Sequence, residues 1–463
     1  MQGSRVLVAG AGVAGRAVAE GLVSLGATVT VTDAAEERLA ELPAEIDGVV
    51  GLTEPPAGTD LVVTSPGWQP SSPLLVAAEA AGIEVIGDVE LAWRVGETLP
   101  TPPVWLAITG TDGKTTTVGM LEAILRAGGV KAVACGNVGL PVIEAVLDGY
   151  PVLAVELSSY QLYWQSSIRP KVATVLNIAE DHLEWHGSMA EYLAAKARIY
   201  ANAEIAVCNA DDAAAARLAD GHPNQLEFTL AEPESGQYGV RDGWLLDRGI
   251  LWMDEPAAAD GVALCPVEEI RPAGQHNVAN ALAATALARA YGVKADAVRA
   301  GLLAYEPPPH RVELVAEAGG MRFVNDSKAT NTHAAAGSLR SFESIVWIAG
   351  GLLHGASVDE LVADVADRLR GVVLIGADQE VFAAALARHA PDVPVVRVGS
   401  GDDEPMISTV RAATAMAGSG DVVLLAPAAK SHDMFASYVD RGAAFTEAVR
   451  AVLDVARERG RGT

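Results

Sequence analysis

Short apolar runs alternate with longer amphipathic stretches along most of the chain. Val6–Ala9, Thr28–Thr32, Leu61–Thr64, Val104–Ile108, Val152–Val155 and Val172–Leu176 are rich in Val, Leu and Ile, and each stops at a glycine or a polar residue. Runs this short, bounded this way, predict strands buried on both faces, as in parallel sheets. Alanine-rich segments such as Arg16–Leu25 and Tyr192–Tyr200 predict the helices between them. The alternation predicts an α/β protein with parallel sheets. Two proline clusters, Glu97–Pro103 and Tyr305–Pro309, interrupt it. Proline stops helices and stiffens connections, so both read as linkers. They predict three domains: 1–98, 99–306 and 307–463. Ala213–Ala216 reads as a helix surface.

Charge narrows the partners. The 463 residues carry 33 Lys and Arg against 59 Asp and Glu, a net charge of −26. Such a surface repels nucleic acid and anionic membranes, so neither is expected as a partner. Only seven cations are lysines: Lys114, Lys131, Lys171, Lys196, Lys294, Lys328 and Lys430. The first hundred residues have none, and there four arginines face fourteen acidic residues. An anionic substrate would have to be held by a few local devices. No apolar run is long enough for a membrane span, and the N-terminus lacks a signal-peptide pattern. Cys135, Cys208 and Cys265 have neither paired nor metal-ligand spacing and read as buried small hydrophobes. A cytoplasmic setting is expected.

Three places concentrate candidate chemistry. Gly10-Ala-Gly12-Val13-Ala14-Gly15 follows the first strand, and Asp33 ends the second. This is the G-x-G-x-x-G pattern with a later acid. Gly10 permits the turn, Gly12 lets backbone approach a diphosphate, and Gly15 lets helix and strand pack closely. Without lysine, a phosphate here must rely on backbone N–H groups and a helix end. The residues leave open a dinucleotide such as NAD, another diphosphate ligand, or a turn with no ligand. Ser65-Pro66-Gly67-Trp68 follows another strand at its ligand-presenting end.

The second place is Thr109-Gly110-Thr111-Asp112-Gly113-Lys114-Thr115-Thr116, between the strand Val104–Ile108 and a helix. Ile108 stands where the usual P-loop pattern has glycine, so the loop is a tighter variant. Its amides would wrap phosphates, Lys114 would reach the β and γ oxygens, and a Thr hydroxyl would join Mg²⁺. Polar clusters close later strands: Gly136-Asn137, Glu156-Leu157-Ser158-Ser159-Tyr160-Gln161, and Asn177 through His182. Glu156 and His182 are candidate Mg²⁺ ligands, though each alone could be a cap or a surface group. Lys196 lies on the amphipathic stretch Tyr192–Tyr200, where patterning alone leaves it free to face solvent.

Taken in order, TGTDGKTT, GNVGLP, ELSSYQL, the EDHL segment, YLAAKARIY and GQHNVANALAA resemble the Mur ligase family of bacterial cell-wall synthesis. PHRVE, NDSKATN and LAPAAKSHDMFASYVDRGAAF extend the likeness to nearly the whole chain. The resemblance implies a Rossmann-like N-terminal domain, a central P-loop-type ATPase domain and a Rossmann-like C-terminal domain. It implies ATP and Mg²⁺ as cofactors and a monomer. The likeness is strongest to members that add D-glutamate to UDP-N-acetylmuramoyl-L-alanine through an acyl phosphate. On that resemblance, Gly110, Thr111, Asp112, Gly113, Lys114, Thr115, Thr116, Asn280, Arg311 and Asp326 face ATP. Gly12, Val13, Ala14, Asp33, Ser65, Gly67, Asn137, Ser159 and Gln161 face the UDP substrate. Lys328, Thr330, His354, Ser431 and Tyr438 face D-glutamate. Thr115, Glu156 and His182 hold the metal, with Lys196 as its carbamate, and Lys114, Glu156, His182 and Lys196 form the catalytic set.

One departure stands out. His354, after Gly350-Gly351, occupies the place where D-glutamate-adding members carry a lysine, and Lys430 stands where a small residue is expected. Lys430 is therefore expected to supply part of the missing charge. The alternatives are an L-alanine-adding member and an NAD-dependent oxidoreductase built on Gly10–Gly15. The second leaves the TGTDGKTT loop without a role.

Overall fold

A computed structural model of the protein describes residues 1–249, 260–399 and 404–460, without the side chains of 455–460. It holds three sheets. The first contains β1 (Arg5–Ala9), β2 (Thr28–Asp33), β3 (Asp47–Val50), β4 (Leu61–Thr64) and β5 (Glu84–Gly87) in the order β3-β2-β1-β4-β5. All its pairings are parallel. The second contains β6 (Val104–Thr109), β7 (Ala132–Gly136), β8 (Val152–Glu156), β9 (Val172–Val175), β10 (Ile205–Asn209), β11 (Gln225–Phe228), β12 (Gln237–Arg241), β13 (Trp244–Asp247) and β14 (Val262–Pro266). Its order is β14-β13-β12-β11-β10-β9-β6-β8-β7, antiparallel only where β13 joins its two neighbours.

The third sheet contains β15 (Glu313–Ala318), β16 (Met321–Asn325), β17 (Ile345–Gly350), β18 (Leu369–Ile375), β19 (Val395–Arg397) and β20 (Val422–Leu425). Its order is β15-β16-β20-β17-β18-β19, and only β15–β16 is antiparallel. The three sheets are α/β with parallel strands, as the alternation of apolar runs predicts.

The chain divides into two units, Met1–Ile270 with Ala279–Tyr305, and Arg271–Val278 with Glu306–Thr463. In the first unit, the first sheet and the central sheet share one continuous apolar core. Within it Trp93 meets Trp105 edge to face at 5.3 Å. Such aromatic pairs add about 1 kcal/mol beyond burial. The cysteines are buried and free.

Two helices start earlier than the apolar pattern predicts. The first runs Val13–Ser24, because Gly12 already stands at its N-cap. The other runs Met189–Ala197, because the Ser188 hydroxyl caps it by accepting the Glu191 N–H. Both starts are set by capping, which apolar periodicity does not record.

Candidate active site

The loop after β6 is held open by its neighbours. Gly110 and Gly113 adopt φ of 156° and 82°, which side-chain-bearing residues rarely enter. A Cβ at Gly113 would also collide with the Asn280 amide. Thr111 N–H donates to the Asn177 carbonyl (3.0 Å) and Asp112 N–H to Asn177 Oδ1 (2.9 Å). Asn177 Nδ2 returns a bond to the Asp112 carbonyl (3.1 Å). Thr111 Oγ1 lies 2.9 Å from the Tyr192 hydroxyl and accepts the Ala179 N–H at 2.9 Å. Lys114 Nζ folds back onto the carbonyls of Gly110 (2.9 Å) and Thr111 (2.7 Å). Thr115 and Thr116 follow in the first turn of the helix Lys114–Ala127.

Glu156 ends β8 and is level with Ile108 of β6. Its Oε1 accepts Asn137 Nδ2 at 3.0 Å, while its Oε2 is buried with no partner. An unpartnered buried carboxylate oxygen beside a phosphate loop fits a bound cation. Among the described residues no group of three or more His, Cys, Asp or Glu gathers as a metal cage. His182 caps the short helix Leu183–His186 with φ 57°. Its Nε2 lies 3.3 Å from Asp181 Oδ2, and its ring packs on Tyr160 at 4.8 Å.

Lys196 does not face solvent. It is 2% exposed, and its Nζ donates to the Gly110 carbonyl at 2.8 Å and to Thr109 Oγ1 at 3.3 Å. Burial, and then the Lys114 charge, push its amine well below the ordinary lysine range, against the pull of Asp181, Asp112 and Glu156.

The segment after Glu156 is tightly committed. Ser158 and Gln161 form a capping box at the helix Ser159–Tyr163. Gln161 Oε1 accepts the Ser158 N–H (3.0 Å), and its Nε2 donates to Asp88 Oδ2 (3.1 Å). Ser159 Oγ lies 2.9 Å from His186 Nε2. Burial keeps the His186 imidazole neutral by lowering it to about 4, and its ring stacks with Tyr160 at 5.7 Å.

In the glycine turn of the first sheet, a Cβ at Gly15 would strike the Gly10 carbonyl, so Gly15 seats the helix against the strand. Gly12 has open space, and Val13 beside it is 65% exposed. Ala14 lies one residue further into the helix. Asp33 accepts the Ala11 N–H at 2.8 Å and the Ala35 N–H at 3.0 Å. Burial opposes its charge, but these amides and Arg38 hold the carboxyl below its usual range. Ser65 Oγ donates weakly to the Gly10 carbonyl (3.4 Å), and the Gly67 carbonyl accepts Trp185 Nε1 at 3.4 Å.

In the second unit, the loops leaving β16, β17 and β20 carry Asp326, Lys328, Thr330, His354, Lys430 and Ser431, while Arg311 precedes β15 and Tyr438 opens the last helix. Lys328 Nζ lies over the Tyr438 ring at 4.3 Å. Thr330 N–H donates to the Lys328 carbonyl (2.8 Å), and Ser431 is buried. Leu352 and Lys430 form an antiparallel bridge at 2.9 and 3.0 Å, which puts the Lys430 backbone two residues from His354. His354 is exposed, with φ 51°. Asp326 is buried, accepting the Val312 N–H at 3.3 Å and the Ser338 hydroxyl. Arg311 lies between His310 and Val312, whose φ values are 65° and 47°.

The structure thus gathers Lys114, Glu156, Lys196 and Asn137 around one loop, and Lys328, Tyr438 and Ser431 around another. Sequence patterning did not single out Tyr192, His186 or Asp88, which bond Thr111, Ser159 and Gln161. Each acts through long-range pairing that local patterning cannot carry.

Comparison with known proteins agrees along the whole chain. The MurD-like N-terminal domain of Mur ligases matches residues 4–87, the Mur ligase middle domain 108–288, and the Mur ligase glutamate ligase domain 310–429. A UDP-N-acetylmuramoylalanine–D-glutamate ligase of Thermobifida fusca is 50% identical over 98% of this chain and 99% of its own. One of Streptomyces avermitilis is 52% identical over 97% and 99%. The solved UDP-N-acetylmuramate–alanine ligase of Thermotoga maritima has the same fold, with a TM-score of 0.59 at 19% identity over 97% of this chain and 99% of that one. With its glycine loop after β6, its buried Glu156 and Lys196, and relatives half identical from end to end, this chain belongs to the Mur ligase family.

Proposed function

We propose that the protein joins D-glutamate to UDP-N-acetylmuramoyl-L-alanine, with ATP converted to ADP and phosphate, in peptidoglycan precursor synthesis. The observation that carries this reading is the end-to-end likeness to D-glutamate ligases at 50% identity. A carboxylate is a poor electrophile. Transfer of the γ-phosphoryl group of ATP to the alanyl carboxylate makes an acyl phosphate with a good leaving group. The D-glutamate amine then attacks that carbon, loses a proton and expels phosphate as the amide forms.

In this reading the loop Gly110–Thr116 cradles the ATP phosphates, and Lys114 leaves its two carbonyls to reach their oxygens. Asn280, Arg311 and Asp326 contact the nucleotide. Mg²⁺ would supply charge neutralisation between the reacting anions. Glu156 Oε2, Thr115, His182 and the carbamate of Lys196 would hold it. Gly12, Val13, Ala14, Asp33, Ser65 and Gly67 receive the UDP moiety, and Asn137, Ser159 and Gln161 the sugar side. Because the Gln161 amide is spent on Ser158 and Asp88, its contribution is to shape the site. Lys328, Thr330, His354, Ser431 and Tyr438 receive D-glutamate, with Lys430 supplying the ammonium that His354 replaces. The domains are 1–98, 99–306 and 307–463, and the enzyme works as a cytoplasmic monomer.

The test is phosphate release from ATP with UDP-N-acetylmuramoyl-L-alanine and D-glutamate, L-alanine or a diamino acid in turn. Turnover is expected with D-glutamate alone, and Lys114→Ala abolishes it in a folded protein. Turnover with another amino acid but not D-glutamate contradicts the reading.

A further inference from the structure

In the third sheet β17 and β20 are parallel neighbours whose chains part at their carboxyl ends. After β17 the chain runs to the helix Asp359–Val365, whose Leu361, Val362 and Val365 join the apolar core on one face. After β20 it runs to the helix Tyr438–Gly460, whose Phe445, Ala448 and Val449 join the core on the other face. Neighbouring strands that part in this way leave a crevice at their carboxyl ends, where open α/β sheets take ligands. The loops at that crevice carry His354, Lys430 and Ser431.

Hydrogen bonds close these loops into a ring. The loop after β20 reaches the loop after β18, where Asp433 Oδ2 accepts the Ala377 N–H at 2.7 Å. The loop after β18 reaches the loop after β17. There Asp378 Oδ2 accepts the Leu353 N–H at 2.7 Å, and the Asp378 N–H donates to the Gly351 carbonyl at 3.1 Å. The Leu352–Lys430 bridge returns from the loop after β17 to the loop after β20. In the sheet β17 lies between β20 and β18, so the Asp433 bond passes over the exit of β17. No side chain fits beneath it. A Cβ on Gly351 would lie 2.1 Å from the Lys430 carbonyl oxygen, and one on Gly376 would lie 2.5 Å from Asp433 Oδ2 and 2.6 Å from Gly351 Cα.

Stability is a poor account of Asp433. Its Oδ1 is buried with no hydrogen-bond partner, and a carboxylate left half unpaired away from water is costly. Near a dicarboxylate ligand its charge would also repel. What the side chain supplies is an acceptor two residues from Ser431, placed to hold a neighbouring loop. A site built on loops binds well only when supporting hydrogen bonds fix its contact residues.

We propose that Asp433 and Asp378 are positioning residues for the incoming amino acid, acting as acceptors that lock three loops into one ring and so fix where His354, Lys430 and Ser431 stand. The proposal rests on the D-glutamate reading above. It is tested in the full-length enzyme with Asp433→Ala, Asp433→Asn and Asp378→Ala, and with Lys328→Ala and Ser431→Ala as controls for the site itself. KM is measured for D-glutamate, ATP and UDP-N-acetylmuramoyl-L-alanine, with thermal melting to establish folding. Asp433→Ala and Asp378→Ala are each expected to raise the D-glutamate KM about tenfold, by the loss of a charge-assisted bond, and to leave the other two KM values within about twofold. Asp433→Asn keeps an acceptor for Ala377 and is expected to stay within about threefold of the parent.

An unchanged D-glutamate KM in folded Asp433→Ala, while both controls raise theirs, overturns the proposal and leaves the site reading standing. So does a rise in all three KM values together, which marks a general loosening of the protein. An Asp433→Asn variant as weak as Asp433→Ala also overturns it, because charge and not loop geometry would then be at work. Unchanged KM in both controls overturns the site reading and the proposal with it. If Asp433→Ala does not fold, Asp378→Ala is read by the same criteria. If neither folds, Asp433→Glu, which displaces the acceptor by one methylene, takes their place.

Discussion

Lys196 shows how much one residue's surroundings decide. On an amphipathic stretch it could have been an ordinary solvated cation. Instead its amine is buried against the Gly110 carbonyl, close enough to Lys114 to feel its charge. Burial and the nearby Lys114 charge both disfavour the protonated amine. A neutral amine can add CO₂, and the resulting carbamate would be an anion opposite Lys114. Lys196→Ala is therefore expected to lose activity roughly a hundredfold or more, the scale of a lost electrostatic contact at a reacting centre. Lys196→Glu is expected to recover part of it by restoring an anion. Steady-state phosphate release checks both, and equal, undiminished rates would remove Lys196 from the mechanism.

At the scale of elements, the decisive one is the helix Asp88–Glu97 that follows β5. Its first turn staples the first sheet to the central sheet's loops within one unit. Gly87 N–H donates to the Trp164 carbonyl (3.1 Å), Asp88 accepts from Gln161, and Glu90 accepts the N–H groups of Ser166 (2.9 Å) and Ser167 (3.0 Å). Burial raises the Asp88 carboxyl to about 6, against the Gln161 bond. An acid raised in the fold stabilises it fully below the unfolded value near 4, and that contribution is lost as pH rises through about 6. Asp88→Asn keeps an acceptor for Gln161 without the charge. Relative to the parent, it is expected to gain stability between about pH 4 and pH 6.5, by at most about 3 kcal/mol. Denaturant melts across that range check this, and a flat difference would show that Asp88 stays ionised.

Over the whole molecule the charge of −26 sets the long-range field, and the sites work against it. In the proposed function the glycine turn would meet UDP with backbone amides, and Lys114, Lys328 and Lys430 would stand at the loops that meet other anions. The field reaches substrates before they touch these groups, and salt shortens its range to about 10 Å at 0.1 M. The kcat/KM for the UDP substrate is therefore expected to rise about twofold as ionic strength goes from about 20 to about 150 mM. A steep fall over the same range would mean that local cations, not the net charge, steer the encounter.

The sequence by itself determined the α/β class, the strand-end positions of Gly10–Gly15, Gly110–Thr116 and Glu156, and the family. Each is local: a strand's apolar run, a glycine's freedom and a loop's residue order are written in adjacent positions. Tertiary structure alone decided that Lys196 is buried, that the Gln161 amide is spent on Asp88, and that Arg441 ties Ser327 to Ala429. The Gln161–Asp88 and Arg441–Ser327 bonds join residues 73 and 114 positions apart, and the burial of Lys196 depends on what packs over a helix face. Periodicity shows that a face exists but not which neighbour covers it, and the neighbour sets the dielectric, the partner and the charge.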